Sequence, residues 1–260
     1  MKFSIITCTL NSRRFLESNI STVSSQTFKN YEHIFIDGYS ADGTLDIIKN
    51  YQTSNPAAVK LIQRTPAGIA HAMNEGIKHA VGDYLLHLHS DDRFYDECVL
   101  QDVSDYLERD NGLDWIYGKA NVIEEDGKSI GLFPDRTMLQ YDSQNWFGRY
   151  FLKFFNYIPH QAVFIRRSVF EKFGCFDEKI KIEMDYDMWL RIKDNTKWSF
   201  FNRVICDYMV RAGAQSSSLA HKRDVINDHE GIQKRHMNFL EFSAAKQFNS
   251  FVRLFNKTYR

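Results

Sequence analysis

The sequence predicts a doubly wound α/β fold on a mainly parallel sheet, and three observations carry that reading. Strand and helix signals alternate four times over the first 92 residues. The strand runs are apolar throughout rather than alternating, as in parallel strands covered on both faces. Three of those strands end in polar clusters, and sheets of this kind bind ligands beyond the carboxyl ends of their strands.

The elements follow in order. FSIITCTL is a buried strand, and NSRRFLESNISTVSSQ is a helix with Asn11 or Ser12 near its cap and Phe15, Ile20 and Val23 as its apolar positions. YEHIFI is the second strand, and TLDIIKNYQ the second helix, starting near Asp42 or Thr44. VKLIQ and HAMNEGIKHA give a third strand and a helix, and DYLLHLH a fourth strand that runs into Ser90, Asp91 and Asp92. Beyond residue 110, DWIYGKANVIEEDGKSIGLF reads as a hairpin turning at Asp126-Gly127. IPHQAVFIRRSVFEKFGCFD reads as a strand and a short helix ending at Gly174. MDYDMWLRIKD reads as a helix with Met184, Met188, Leu190 and Ile192 on its buried side.

Composition narrows the function classes. The chain has 260 residues, 43% hydrophobic and 25% charged, the balance of one globular α/β domain with or without an appendage. Lys plus Arg and Asp plus Glu number 33 each, so no global charge draws nucleic acid and no nucleic-acid partner is expected. Aromatic residues are abundant at 15%. Cys8, Cys98, Cys175 and Cys206 show no CxxC and no zinc spacing, which suits reduced thiols in a cytosolic protein. Asn11, Arg13 and Arg14 interrupt the N-terminal apolar run where a cleavage region would sit. No stretch approaches the roughly 18 apolar residues of a membrane span, so the expected location is cytoplasmic, at most lying on a membrane.

The polar strand ends are Thr7, Thr9 and Asn11; Asp37 to Asp42; and Ser90 to Asp92. They converge on one sheet edge. Adjacent carboxylates such as Asp91 and Asp92 repel each other unless a cation or donor lies between them. Mg²⁺ or Mn²⁺ would suit the oxygen ligands, and a solvated acidic turn is the alternative. No GxxxxGK[ST] and no GxGxxG is present, so a nucleotide here would need a metal to neutralise its diphosphate. Glu183, Asp185 and Asp187 open a helix, where acids suit the helix dipole by themselves and where one could also face a cleft as a general base. His160, after Pro159, suits a core or turn residue better than a ligand, and His87 and His89 suit packed, hydrogen-bonded residues on one sheet face better than a metal pair. In SAAKQFNSFVRLFNKTYR, Phe248, Phe251, Val252 and Phe255 share one helical face, with Lys246, Arg253, Lys257 and Arg260 at other positions. Such a helix either docks on the body or lies in an anionic membrane interface.

Four segments, in order, carry a resemblance: FSIITCTLN; SSQTFKNYEHIFIDGYSADGT; GIAHAMNEGIKHAVGDYLLHLHSDD; and IPHQAVFIRRSVFEKFGCFDEKIKIEMDYDMWLRI. Together they cover most of residues 1–195, and the chain resembles a family 2 glycosyltransferase of the GT-A type, of the kind that builds bacterial cell-surface polysaccharide, including lipopolysaccharide. The resemblance implies a Rossmann-like GT-A domain over 1–215, with a nucleotide-sugar half at 1–110 and an acceptor half at 111–215. A helical extension at 216–260 would follow. It implies an inverting transfer from a nucleoside-diphosphate sugar, usually a UDP-sugar, to a glycan or polyprenyl-linked acceptor.

By the same resemblance Thr7, Thr9, Asn11 and Asp37 line the nucleoside pocket, with Arg64 and Asn74 nearby. Asp92 binds Mn²⁺ or Mg²⁺, and Asp91 contacts the ribose or shares the metal. Asp185 is the base, and His160 and Gln161 lie near the donor sugar or the acceptor. Peripheral membrane contact would run through 243–260. The chain departs from the family pattern in two places: Asp37-Gly38 stands where many relatives have two acids, and Pro66 stands where an acid often precedes the glycine matched by Gly68. Glu183 and Asp187 lie close enough to Asp185 to compete for the base role. A non-catalytic sugar-nucleotide or glycan-binding protein is the rival reading. Nucleotidyl transfer is a third, but the glycine- and Lys/Arg-rich first loop it needs is missing.

Overall fold

The computed structural model describes residues 1–134, 141–211 and 222–247. The first half contains β1 (Phe3–Thr9), α1 (Arg13–Ser24), β2 (Tyr31–Asp37), α2 (Thr44–Ser54), β3 (Val59–Gln63), α3 (Ile69–His79) and β4 (Tyr84–His87). A short β5 (Arg93–Phe94), α4 (Val99–Arg109), β6 (Trp115–Ile123) and β7 (Ser129–Phe133) follow. The second half adds α5 (Trp146–Phe151), a 3-10 turn (His160–Ala162), β8 (Val163–Arg166), α6 (Arg167–Phe173), α7 (Met184–Ile192), β9 (Trp198–Met209) and α8 (Lys222–His236). A further helical run spans 239–247.

The strands form one sheet in the order β3-β2-β1-β4-β8-β6-β9-β5, with β7 paired to β6. β3, β2, β1 and β4 are parallel, and β8 joins β4 antiparallel. All seven residues of β1 are buried, which accounts for its unbroken apolar-and-small run. Gly76 lets α3 close on this strand: a Cβ there would stand 2.3 Å from Ile6 Cγ2. The expected hairpin is β6–β7, with Gly127 at φ 85.

Two expected details differ. α1 buries Leu16, Asn19 and Val23, and Phe15 and Ile20 are only half-buried. α7 buries Tyr186, Asp187 and Trp189 as well as Met184, Met188, Leu190 and Ile192, because β6, through Trp115, and α8, through Arg235 and His236, both pack on it. Trp115 stacks on Trp198 at 4.8 Å and on Trp189 at 5.4 Å, joining β6, β9 and α7 in one aromatic core with Tyr117 and Tyr157. Much of the aromatic surplus is spent there. All four cysteines are free. Among the described residues no helix is long and apolar enough to cross a membrane.

Candidate active site

A cleft of about 730 Å³ opens at the carboxyl ends of β1, β2 and β4, facing residues 156–161 and the start of α7 across it. Parallel pairing in register puts Thr9 opposite Asp37, so the first two strands deliver their last residues to the same rim.

Asp37 is fully buried and has no cation to balance it among its hydrogen-bond partners. Its Oδ2 accepts from Thr9 Oγ1 (2.8 Å) and Ser40 Oγ (2.6 Å), and its Oδ1 from Ser40 N (2.9 Å). The loop after β2 is tied to the loop after β1: Asn11 N donates to Ser40 Oγ, and Ser12 N to Thr44 Oγ1. Asn11 and Tyr39 hold left-handed backbone at φ 51 and 59 to make this junction. Arg64 lines the cleft floor, its guanidinium held by Glu75 (2.7 Å) and the Gln63 carbonyl.

The fourth strand ends early, at His87, and a turn through His89 presents the two acids. Asn19 on α1 fixes that turn by donating to the carbonyls of His89 and Asp92, both at 2.9 Å. Asp91 Oδ2 accepts from Arg211 Nε at 2.8 Å. Asp92 is buried; its Oδ1 accepts from Met209 N, and its Oδ2 has no hydrogen-bond partner among the described residues. Burial first, and then the charge of Asp91, push the Asp92 carboxyl well above the usual carboxylate range. Such a carboxylate is stabilised by a cation. The orphaned oxygen and the hard donor set fit Mn²⁺ or Mg²⁺. Among the described residues no group of three His, Cys, Asp or Glu side chains is placed to hold a metal ion by itself.

Across the cleft Asp185 sits in the first turn of α7, half-buried, and Tyr186 N donates to its Oδ1. Burial, and then the Glu183 charge, raise its carboxyl to about 7. Its two rivals are engaged elsewhere. Asp187 is buried among Arg191 (2.9 Å), Arg235 (3.0 Å) and His236 (2.9 Å), and Glu183 pairs with His229 at 2.7 Å. His160 and Gln161 line the cleft from the 3-10 turn. The His160 ring packs on His87 and His89, and burial holds its ring well below the usual imidazole value, so the cluster is neutral. His87 sits against the Met73 carbonyl.

Three expected donor residues do not line the cleft. Thr7 is buried two residues short of the rim and spends its hydroxyl on the Leu88 carbonyl and His33. Asn11 supports the loop, its Oδ1 accepting from Ala41 N, and does not line the cleft. Asn74 is buried in α3, pinning the 176–178 segment through Phe176 and Glu178. The residues brought together are Thr9, Asp37, Arg64, Asp91, Asp92, His160, Gln161 and Asp185. Asn19, Asn156 and Arg211 carry no sequence expectation yet hold or line the site. Asn19 alone left a signal, as a polar residue in the buried stripe of α1.

The sequence and the architecture have counterparts among known proteins. Residues 4–174 match the family model described as Glycosyl transferase family 2. A PGL/p-HBAD biosynthesis glycosyltransferase of Mycobacterium bovis (strain BCG / Pasteur 1173P2) is 28% identical over 194 residues, 74% of this chain and 70% of that protein. An uncharacterized glycosyltransferase of Mycobacterium tuberculosis (strain CDC 1551 / Oshkosh) is 30% identical over 210 residues, 79% and 74% of the two chains. Among solved structures, S. aureus TarS 1-349 in complex with UDP-GlcNAc matches with a TM-score of 0.71 at 21% identity, over 89% of this chain and 65% of that one. The mannosyltransferase PcManGT from Pyrobaculum calidifontis, in complex with GDP-Man and Mn2+, matches with a TM-score of 0.66 at 15% identity, over 91% and 65%. At these identities the likeness is one of fold, and this chain spans just under two thirds of either structure's length.

Proposed function

The chain belongs to glycosyl transferase family 2, and from that premise we propose that it moves a sugar from a nucleoside-diphosphate donor, a UDP-sugar first among them, to a hydroxyl of a glycan or polyprenyl-linked acceptor, with inversion. The observation that carries this is one cleft holding two kinds of carboxylate: the Asp91–Asp92 turn on the donor side and Asp185, with a carboxyl raised to about 7, opposite. In the reaction Asp185 would take the proton of the acceptor hydroxyl as that oxygen attacks the anomeric carbon. Asp37 and Thr9 would border the nucleoside, with Arg64 beneath. Asp92, with Asp91, would hold Mn²⁺ or Mg²⁺, which when bound neutralises charge on the departing diphosphate. His160 and Gln161 would contact the sugar or the acceptor.

A donor screen tests the reading. Hydrolysis of UDP-Glc, UDP-Gal, UDP-GlcNAc, UDP-GalNAc and GDP-Man is followed with Mn²⁺ and with EDTA. Slow release of nucleoside diphosphate from one donor, abolished by EDTA, is expected. Donor binding without turnover, unchanged when acceptor glycans are supplied, would instead favour a binding protein on this fold.

The proposal extends to the cytosolic face of a membrane, in cell-surface polysaccharide or lipopolysaccharide synthesis. Phe239 and Leu240 are 82% and 77% exposed at the start of the 239–247 run, immediately before the basic C-terminal segment. Of the amphipathic stretch expected at 243–260, residues 248–260 lie outside the described residues. Sedimentation with anionic vesicles is expected to pull down the full chain and to fail once 243–260 is deleted. Equal sedimentation of both would end the membrane reading.

A further inference from the structure

The turn that delivers Asp185 is held from outside its own helix. Residues 181–183 lead into α7, and their free backbone donors are taken by one carboxylate of α8: Lys181 N and Ile182 N both donate to Asp228 Oδ2, at 3.1 and 2.8 Å. The next residue of α8, His229, meets Glu183 at 2.7 Å through Nδ1 and stacks on the Tyr186 ring at 4.9 Å. Glu183 and Tyr186 bracket Asp185 in sequence. One turn further along α8, Gln233 donates to the Lys153 and Phe154 carbonyls, next to Asn156, whose amide reaches Asp185 Oδ2 at 3.4 Å. Arg235 and His236 close the far side on Asp187.

These contacts are not what a polar surface helix needs for its own stability. Asp228 and His229, both half-buried, meet the segment that presents the carboxylate at half-buried Ile182 and Glu183 and at exposed Lys181. We propose that α8 is a positioning element for the general base, with Asp228 and His229 clamping the 181–183 turn. This inference rests on the reading of Asp185 as the base.

The titratable groups set around Asp185 are Glu183 and Asp187 from α7 and Asp228 and His229 from α8, and Asn156 from the opposite segment is neutral. Asp187 is balanced by Arg191 and Arg235, and Asp228 is turned to the backbone N–H groups of the turn. Glu183 is the charge that acts on Asp185, and it acts to raise it. Two separable effects follow. Loosening the clamp misplaces the base, and a displacement on the order of 1 Å can cost about 10²-fold in turnover. Neutralising Glu183 removes the charge that raises Asp185, making it a stronger acid, while the two Asp228 bonds to Lys181 N and Ile182 N still hold the turn.

The test compares D228N/H229Q, E183Q and D185N, using hydrolysis of whichever donor the screen turns over fastest, with UDP affinity measured by calorimetry in Mn²⁺. In D228N/H229Q, kcat is expected to fall about 10- to 100-fold, with UDP affinity and donor KM within about two-fold, since the donor side is built on β1, β2 and β4. In E183Q, the acid limb of the pH–rate profile is expected to move to lower pH. If kcat of D228N/H229Q stays within two-fold, or if UDP affinity falls in step with turnover, the positioning role is overturned. An unmoved acid limb in the near-isosteric E183Q overturns the tuning role, and that variant keeps the test open should the double variant not fold. D185N separates the layers: full activity there would remove the base assignment itself, whereas its loss beside an unaffected double variant would remove the clamp alone.

Discussion

Asp185→Asn is expected to lower kcat for transfer by about 10²–10⁴-fold, the range general-base removal covers, while UDP affinity changes little. The change is isosteric: Tyr186 N can still donate to the side-chain oxygen that replaces Oδ1. The folded chain should tolerate it for an electrostatic reason. With its carboxyl raised from 3.8 to about 7, folded Asp185 holds a proton more tightly than the unfolded chain does. Its contribution to stability therefore falls as pH rises from about 4 to about 7 and stays low above that. Asn removes that penalty, so at pH 8 the variant should melt no lower than wild type even as activity disappears. In wild type the base must be ionised, so activity should climb with pH through about 7. A D185N enzyme that turned over normally, or a wild-type profile flat from pH 5.5 to 8, would contradict the assignment.

The parallel half of the sheet was readable because β1 and β2 are short buried runs, each followed within a few residues by its own helix. The rest was harder for different reasons. α8 buries only Ile232 and Gln233 among its described side chains, with Val225 and Ile226 half-buried, and is held largely by ion pairs and hydrogen bonds, so its apolar signal is thin. β9 runs twelve residues with mostly half-buried positions, mixing polar and aromatic side chains along a bulged pairing with β6. α4 is the exception: Val99, Leu100, Val103 and Leu107 form a clear helical stripe that was open to reading.

Within the site, residue type identified the acids but not their surroundings. Thr7 and Thr9 lie two apart on one strand face, and only Thr9 reaches the rim, because β1 ends there. The competition among Glu183, Asp185 and Asp187 turns on partners contributed by α8, some 45 residues away in sequence. Locally only Arg191, one turn on from Asp187, marks an engaged acid; that Glu183 meets His229 comes from α8 and leaves no local sign.

The Asp91–Asp92 turn gives the second large effect, and its sign differs between stability and activity. Metal-free wild type carries a buried Asp92 carboxyl whose ionisation is opposed by burial and by Asp91, with Oδ2 unpartnered. Raised in the folded state, this group loses stability as pH climbs from the ordinary carboxylate value towards its folded one. Asp92→Asn removes the charge and keeps an oxygen for Met209 N. It leaves an amide N–H₂ near the orphaned position, a cost of about 1–3 kcal/mol. That cost does not change with pH, whereas the charge penalty does. In EDTA the melting temperature of the variant relative to wild type should therefore rise with pH, and the Asp185 contribution, common to both proteins, drops out of the difference. Adding Mn²⁺ reverses the order. At about 100 times its Kd a ligand that binds only the folded state stabilises by about 2.7 kcal/mol, or roughly 5–10 °C for a chain of this length. Wild type should show that rise and Asp92→Asn should not, with donor hydrolysis lost in the variant at every metal concentration. A variant that keeps the full Mn²⁺-induced rise would place the ion elsewhere, and one that also hydrolyses donor normally would remove Asp92 from the chemistry.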